Sequence, residues 1–257
     1  MTFERHQVAL YTGELSYFVA GEGEPLLYLH PAGGAMLTEL VQGLAQFRKV
    51  YVPILPGFDG TPRHAGVDSI VDLANLAAEF AALVIGEAPD VMGASFGGWI
   101  ALWMAALHPK GVGRLVLEAP AGLRFGMDES SLTPEAARAN LFAHPQKAAA
   151  IAPTRETAIA NGEAFRAYAD GVFVDAALVE ALPTIQSHAL VLMGTLDVTV
   201  PVETGWTLTA TLPHVNLSYV YDAAHAAQVD QPAACLRIIR PFLEKGAAFI
   251  VASREYA

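Results

Sequence analysis

Cysteine is nearly absent from this chain. Cys235 stands alone among 257 residues, so no intrachain disulfide can form and a disulfide-stapled scaffold is excluded. Within an apolar helical pattern, that thiol reads as a small buried hydrophobe rather than a nucleophile. Basic residues are also scarce, 15 Lys and Arg against 26 Asp and Glu, which leaves a net charge of −11. Such a balance argues against nucleic acid or an anionic membrane as partner and leaves a small-molecule substrate as the expectation. No apolar run reaches transmembrane length; residues 74–85 come closest and are broken by Asn75 and Glu79. The first residues lack a basic segment followed by an apolar one, so no signal peptide is expected and a cytoplasmic enzyme is the default. No His, Asp or Glu spacing suggests a metal site, and no glycine-rich phosphate cradle follows a strand. No cofactor is therefore expected. Oligomeric state is not legible.

What the chain does have is alternation. Residues 8–11 and 15–20 read as a β-hairpin joined through Thr12-Gly13-Glu14, and 26–30, 50–54, 90–94 and 114–117 as further short strands. Asp68 is a candidate N-cap for a helix running to Ile85, and 96–107 reads as a helix. Strands alternating with helices predict an α/β fold, a mostly parallel doubly wound sheet. From 121 to 187 the rhythm breaks into a helical segment punctuated by Pro134, Pro145, Pro153 and Pro183, with Thr133-Pro134-Glu135 as one helix start. It then resumes with strands at 189–193 and 215–219 and helices at 203–212 and 233–244. The expected organisation is a core of residues 1–120 and 188–257 with an inserted helical cap, 121–187.

The organising stretch is Val91-Met92-Gly93-Ala94-Ser95-Phe96-Gly97-Gly98. A serine between glycines two residues away on each side, where a strand hands over to a helix, is a nucleophile elbow. A turn that sharp strains the serine backbone, and side chains at 93 and 97 would collide with neighbouring chain. A serine hydroxyl needs a base, and the base an orienting carboxylate. In a parallel sheet such groups gather after the C-terminal ends of strands. Two later strand ends carry them: Gly194-Thr195-Leu196-Asp197 and Tyr221-Asp222-Ala223-Ala224-His225. Glu118 is the competing acid. Asp222 reads as a turn residue, and Asp197 has the same alternative.

With His30-Pro31-Ala32-Gly33-Gly34 and Leu55-Pro56-Gly57-Phe58, these motifs resemble the α/β-hydrolase superfamily along nearly the whole chain. The resemblance implies Ser95 as nucleophile, His225 as general base and then acid, and Asp197 as orienting acid. It also implies an oxyanion hole of backbone N–H groups from Phe96 and, since Pro31 has none, from Ala32 with Gly33 as fallback. His30 is expected to brace that turn. Gly33, Phe58, Leu123, Phe125, Met127, Phe142, Phe165, Tyr168 and Phe173 are candidates for the substrate pocket. Arg124 and Arg166 could anchor a carboxylate, though solvated surface charge explains them as well. The remaining histidines carry no functional signal.

The expected activity is hydrolysis of small carboxylic esters or lactones through an acyl-enzyme on Ser95. The rival chemistry is hydrolysis of a carbon–carbon bond in a ring-fission dienoic acid, for which a positively lined pocket would speak. A non-catalytic binding protein on the same scaffold is the rival of another class.

Overall fold

The computed structural model describes residues 2–124, 140–246 and 248. Eight strands form one sheet in the order β1-β2-β4-β3-β5-β6-β7-β8: β1 (Glu4–Leu10), β2 (Gly13–Ala20), β3 (Pro25–Leu29), β4 (Lys49–Pro53), β5 (Asp90–Ala94), β6 (Leu115–Glu118), β7 (Ala189–Gly194) and β8 (Val215–Val220). β1 and β2 pair antiparallel, as do β2 and β4; every later pairing is parallel. The hairpin is as expected, but β1 starts four residues earlier than the apolar pattern suggests. Its outer residues, Glu4 to Gln7, are exposed and polar, which suits an edge strand that must not recruit another chain.

The central strands explain their own sequences. β5, β6 and β7 are buried at every position, so they read as nearly continuous apolar runs, with the buried acids Asp90 and Glu118 at strand ends, rather than alternating ones. Layers of helix do the covering. These are α1 (Glu39–Leu44), α2 (Ile70–Phe80), α3 (Phe96–Leu107), α4 (Pro145–Ala149), α5 (Arg155–Ala169), α6 (Ala176–Ala181), α7 (Val202–Thr211), α8 (Ala227–Asp230) and α9 (Pro232–Lys245). α3 is buried from Phe96 through Ala105, and correspondingly apolar on all sides.

One helix start differs from expectation. The N-cap of α2 is Ser69, not Asp68: the Ser69 hydroxyl accepts the Asp72 N–H, and the Asp72 carboxylate accepts the Ser69 N–H in return. The α-helix then stops at Phe80, and a π-helical turn, Ala81–Ile85, closes on left-handed Gly86. Between β6 and β7 the described residues hold helices, turns and one isolated antiparallel bridge, Leu123 with Val174. The proposed helix start at Thr133-Pro134-Glu135 lies outside the described residues. Pro145 opens α4, whereas Pro153 precedes the Thr154 N-cap of α5. Cys235 is buried within α9, and burial pushes its thiol far above the ordinary range, which suits a small buried hydrophobe rather than a nucleophile.

Candidate active site

Ser95 sits between β5 and α3 with φ +50° and ψ −109°, a conformation that L residues rarely adopt. The packing around it explains the glycines. A Cβ on Gly97 would press into the Leu29 carbonyl, and one on Gly93 into the backbone at Gly97. The elbow is also stitched to β6, since the Ser95 N–H donates to the Glu118 carbonyl at 2.8 Å and its carbonyl accepts Ala121 N–H at 2.9 Å. Backbone strain at Ser95 is thus held in place by flanking hydrogen bonds.

The three distant residues meet. His225 Nε2 lies 2.8 Å from Ser95 Oγ, and His225 Nδ1 lies 2.9 Å from Asp197 Oδ2. Asp197 Oδ1 accepts the Thr199 and Val200 N–H groups at 2.7 and 2.9 Å, so both oxygens of this buried carboxylate are engaged. A carboxylate acceptor places the imidazole proton on Nδ1. That leaves Nε2 with the lone pair that accepts from the Ser95 hydroxyl. Glu118, the competing acid, does not reach the imidazole. Its Oε1 accepts the Gln228 N–H at 2.8 Å instead.

The turn after β3 is braced more heavily than the sequence suggested. Buried His30 accepts the Leu55 N–H on Nε2 at 3.1 Å, so Nδ1 donates to the Pro31 carbonyl at 2.7 Å. Burial lowers its pKa and keeps it neutral. Asn161, on α5, was not anticipated. It donates to the Gly33 carbonyl and to Asp59 Oδ1, both at 2.9 Å, and accepts the Asp59 N–H at 2.8 Å. Asp59 in turn accepts the Ala35 N–H. Gly34 spends its N–H on the Pro31 carbonyl, whereas the Ala32 and Gly33 N–H groups have no partner among the described residues.

A second brace holds the histidine. Buried Asp230 accepts N–H groups from Ala143, His144 and Ala224, each at 2.9 Å. The Ala226 N–H donates to the Leu141 carbonyl, and the His144 imidazole lies 2.9 Å from Asp222. Residues 141–144 and the loop carrying His225 are therefore one hydrogen-bonded unit. Asp222 adopts positive φ, as a turn residue should, and also partners His144. No local pattern could have flagged Asn161 or Asp230, because every partner is remote in sequence or donates from backbone.

Ser95 opens into a cavity of about 140 Å³. Among the described residues its walls include Ala32, Gly33, Met36, Leu141, Phe142 and Val229, with Glu118, His225 and Gln228 as polar members. Of the pocket candidates, Gly33 and Phe142 are among these walls; Phe125 and Met127 lie outside the described residues. Phe58, Leu123, Phe165 and Tyr168 do not line this cavity. Phe58 is fully buried, its ring centroid 5.0 Å from His30 and 5.5 Å from Phe96, and Phe165 meets Phe96 edge-on at 5.4 Å. These rings pack behind the elbow, with the Tyr168 hydroxyl tied to the Pro56 carbonyl. Leu123 is likewise buried and offers its carbonyl to Thr204. Phe173 carries the Arg124 guanidinium over its ring. Arg124 is partly buried and feels the Asp197 charge, but it does not line the cavity; Arg166 is exposed. Other histidines satisfy local partners: His64 with Thr12 and Glu14, His108 with Asn75, His188 stacked on His214.

A family model described as "Alpha/beta hydrolase family" matches residues 26–238. The chain belongs to the alpha/beta hydrolase family. It is 29% identical, over 89% of its length and 90% of the relative's, to a 2-hydroxymuconate semialdehyde hydrolase of Pseudomonas sp. strain CF600. It is 28% identical, over 87% and 90%, to a 2-hydroxy-6-oxo-2,4-heptadienoate hydrolase of Pseudomonas putida. A thermophilic esterase from Thermogutta terrifontis superposes with a TM-score of 0.71 at 22% identity, covering 94% of this chain and 98% of that one, which speaks to fold alone. Among the described residues, no helix is long and apolar enough to cross a membrane and no cluster of ligating side chains could hold a metal.

Proposed function

We propose that this hydrolase cleaves a small carbonyl substrate through covalent attack by Ser95, and that the scissile bond is a carbon–carbon bond of a ring-fission dienoic acid. The line-up of Ser95, His225 and Asp197 supports the chemistry. The near-full-length relatives, both named as hydrolases of such compounds, support the bond. This reverses the order of preference drawn from sequence, where small esters or lactones stood first.

In the first half-reaction Ser95 Oγ adds to the carbonyl carbon while its proton passes to His225 Nε2. The Phe96 N–H, with that of Ala32 or Gly33, receives the oxyanion; loss of one such donor typically costs about 3–4 kcal/mol of transition-state stabilisation. Collapse of the adduct breaks the bond to the leaving group, and the His225 imidazolium returns the proton to the departing atom. That atom is carbon in a dienoic acid, where conjugation spreads the charge, and oxygen in an ester. Water then adds to the acyl-enzyme with His225 again as base, freeing the acid and Ser95. The segment between β6 and β7 acts as a cap, supplying Leu141 and Phe142 to the cavity.

Ester hydrolysis is the second reading, and one observation favours it. No Lys or Arg lines the Ser95 cavity among the described residues, so nothing there offers a full positive charge to a substrate carboxylate. Side-by-side turnover of a 2-hydroxy-6-oxo-dienoate and p-nitrophenyl esters of increasing chain length separates the two. A dienoate kcat/KM far above that of every ester supports carbon–carbon cleavage; the reverse order supports the ester. No turnover of either, with no fluorophosphonate adduct on Ser95, would leave a binding protein.

A further inference from the structure

The lining of the Ser95 cavity includes polar groups that the reaction above does not use. Glu118 is 1% exposed; its Oε1 accepts the Gln228 N–H, yet its Oε2 has no hydrogen-bond partner. Gln228, the neighbouring wall residue, is held with its amide oxygen inward. That oxygen accepts the Tyr28 hydroxyl at 2.8 Å and the Thr38 hydroxyl at 3.1 Å. Tyr28 is fully buried and its burial keeps it a phenol, so it remains a donor. With its oxygen occupied twice, Gln228 presents its NH2, which has no partner among the described residues. A buried polar group left unmatched costs about 1–3 kcal/mol, so Glu118 Oε2 is matched by whatever fills this mostly apolar cavity, and the Gln228 NH2 is a further free donor in the same lining.

We propose that Glu118, as a neutral carboxylic acid, and the Gln228 amide form an oxygen-recognition subsite that hydrogen-bonds a carbonyl-type oxygen on the substrate's acyl portion. The subsite deepens the reading of Ser95 as nucleophile and rests on it. Neutrality follows from the surroundings. The Asp197 and Asp230 carboxylates approach Glu118, the Tyr28 phenol and the Cys235 thiol pack near it, and the fellow wall residue His225 is spent on Asp197. Burial above all holds the Glu118 carboxyl up at about 8, with the Asp197 and Asp230 charges adding to it against the Gln228 and Ala227 N–H groups, which favour the ionised form. A donor pair of this kind prefers an oxo-acyl group to an alkyl chain of equal length, which would strand both donors.

The test compares kcat/KM for p-nitrophenyl 4-oxopentanoate and p-nitrophenyl pentanoate on the full chain. Wild type is expected to favour the oxo ester, and Glu118→Gln, which keeps a donor, to retain that preference. Glu118→Leu and Gln228→Leu should each erode it by about tenfold. The wild-type preference should also decline above about pH 8, while that of Glu118→Gln stays level. This pH series decides the matter if the leucine variants fail to fold. An equal ratio across folded variants and pH overturns the subsite. So does an equal loss on both esters in Glu118→Gln, which would make Glu118 an accessory to the His225 relay. Fluorophosphonate labelling of Ser95 in wild type keeps the two levels apart: a labelled serine with a flat ratio removes the subsite only, whereas an unlabelled one removes the hydrolase reading with it.

Discussion

Asp230→Asn tests how the His225 loop is held. The carboxylate accepts three backbone N–H groups, Oδ2 those of Ala143 and Ala224 and Oδ1 that of His144. Asparagine has one oxygen, so its best orientation keeps the pair on one side and turns an NH2 toward the His144 N–H. One charge-assisted bond is then lost, two become neutral, and two buried donors face each other. At about 1.5–3 kcal/mol for a bond to a charged group and about 1 kcal/mol for a neutral one, the variant should lose at least about 2.5 kcal/mol. Urea unfolding at neutral pH measures this directly. The active site should suffer as well, because Ala224 adjoins His225 and Leu141 receives the Ala226 N–H. The rate of fluorophosphonate labelling at Ser95 should therefore fall with stability. A change below about 0.5 kcal/mol with unchanged labelling would refute the claim that this carboxylate couples the 141–144 segment to the histidine.

Asp197→Asn should keep the fold yet lower kcat by about 10³–10⁴-fold, since an amide no longer fixes the His225 proton on Nδ1; full activity would mean another acid serves the imidazole. Asn161→Ala releases the Gly33 carbonyl and Asp59 from α5, and should slow acylation by about tenfold, read as the burst rate on a p-nitrophenyl ester. Glu118→Gln should alter the pH dependence of stability. A carboxyl raised from 4.5 to about 8 in the folded state ionises more readily when unfolded, so the wild-type chain loses stability as pH climbs through that window. The glutamine variant should match wild type near pH 4.5 and exceed it by up to a few kcal/mol near pH 9, checked by urea midpoints; identical curves would show that Glu118 is not held neutral.

The sequence carried the parts of this molecule that local physics dictates. Gly93 and Gly97 are required by the sharp elbow and its close approach to β3, and nearly continuous apolar runs mark strands buried on both faces, so both are legible. The chain order Ser95, Asp197, His225 is legible because parallel strands deliver their ends to one rim. Competition between near-equal local choices is less so. Ser69 displaces Asp68 because only Ser69 forms the reciprocal pair with Asp72. The aromatic residues were ambiguous for a related reason: a ring that packs behind the elbow and a ring that lines the cavity look alike in sequence. Phe58 does the first and Phe142 the second. Asn161, Gln228 and Asp230 could not be found, since their roles exist only once remote segments have met.

The most direct measurement is the intact mass of the protein after exposure to a fluorophosphonate, with the adduct located by peptide mapping. The account predicts one adduct, on Ser95, lost in Ser95→Ala and formed much more slowly in His225→Ala. A wild-type protein that stays unmodified, or one modified at a different residue, would contradict it.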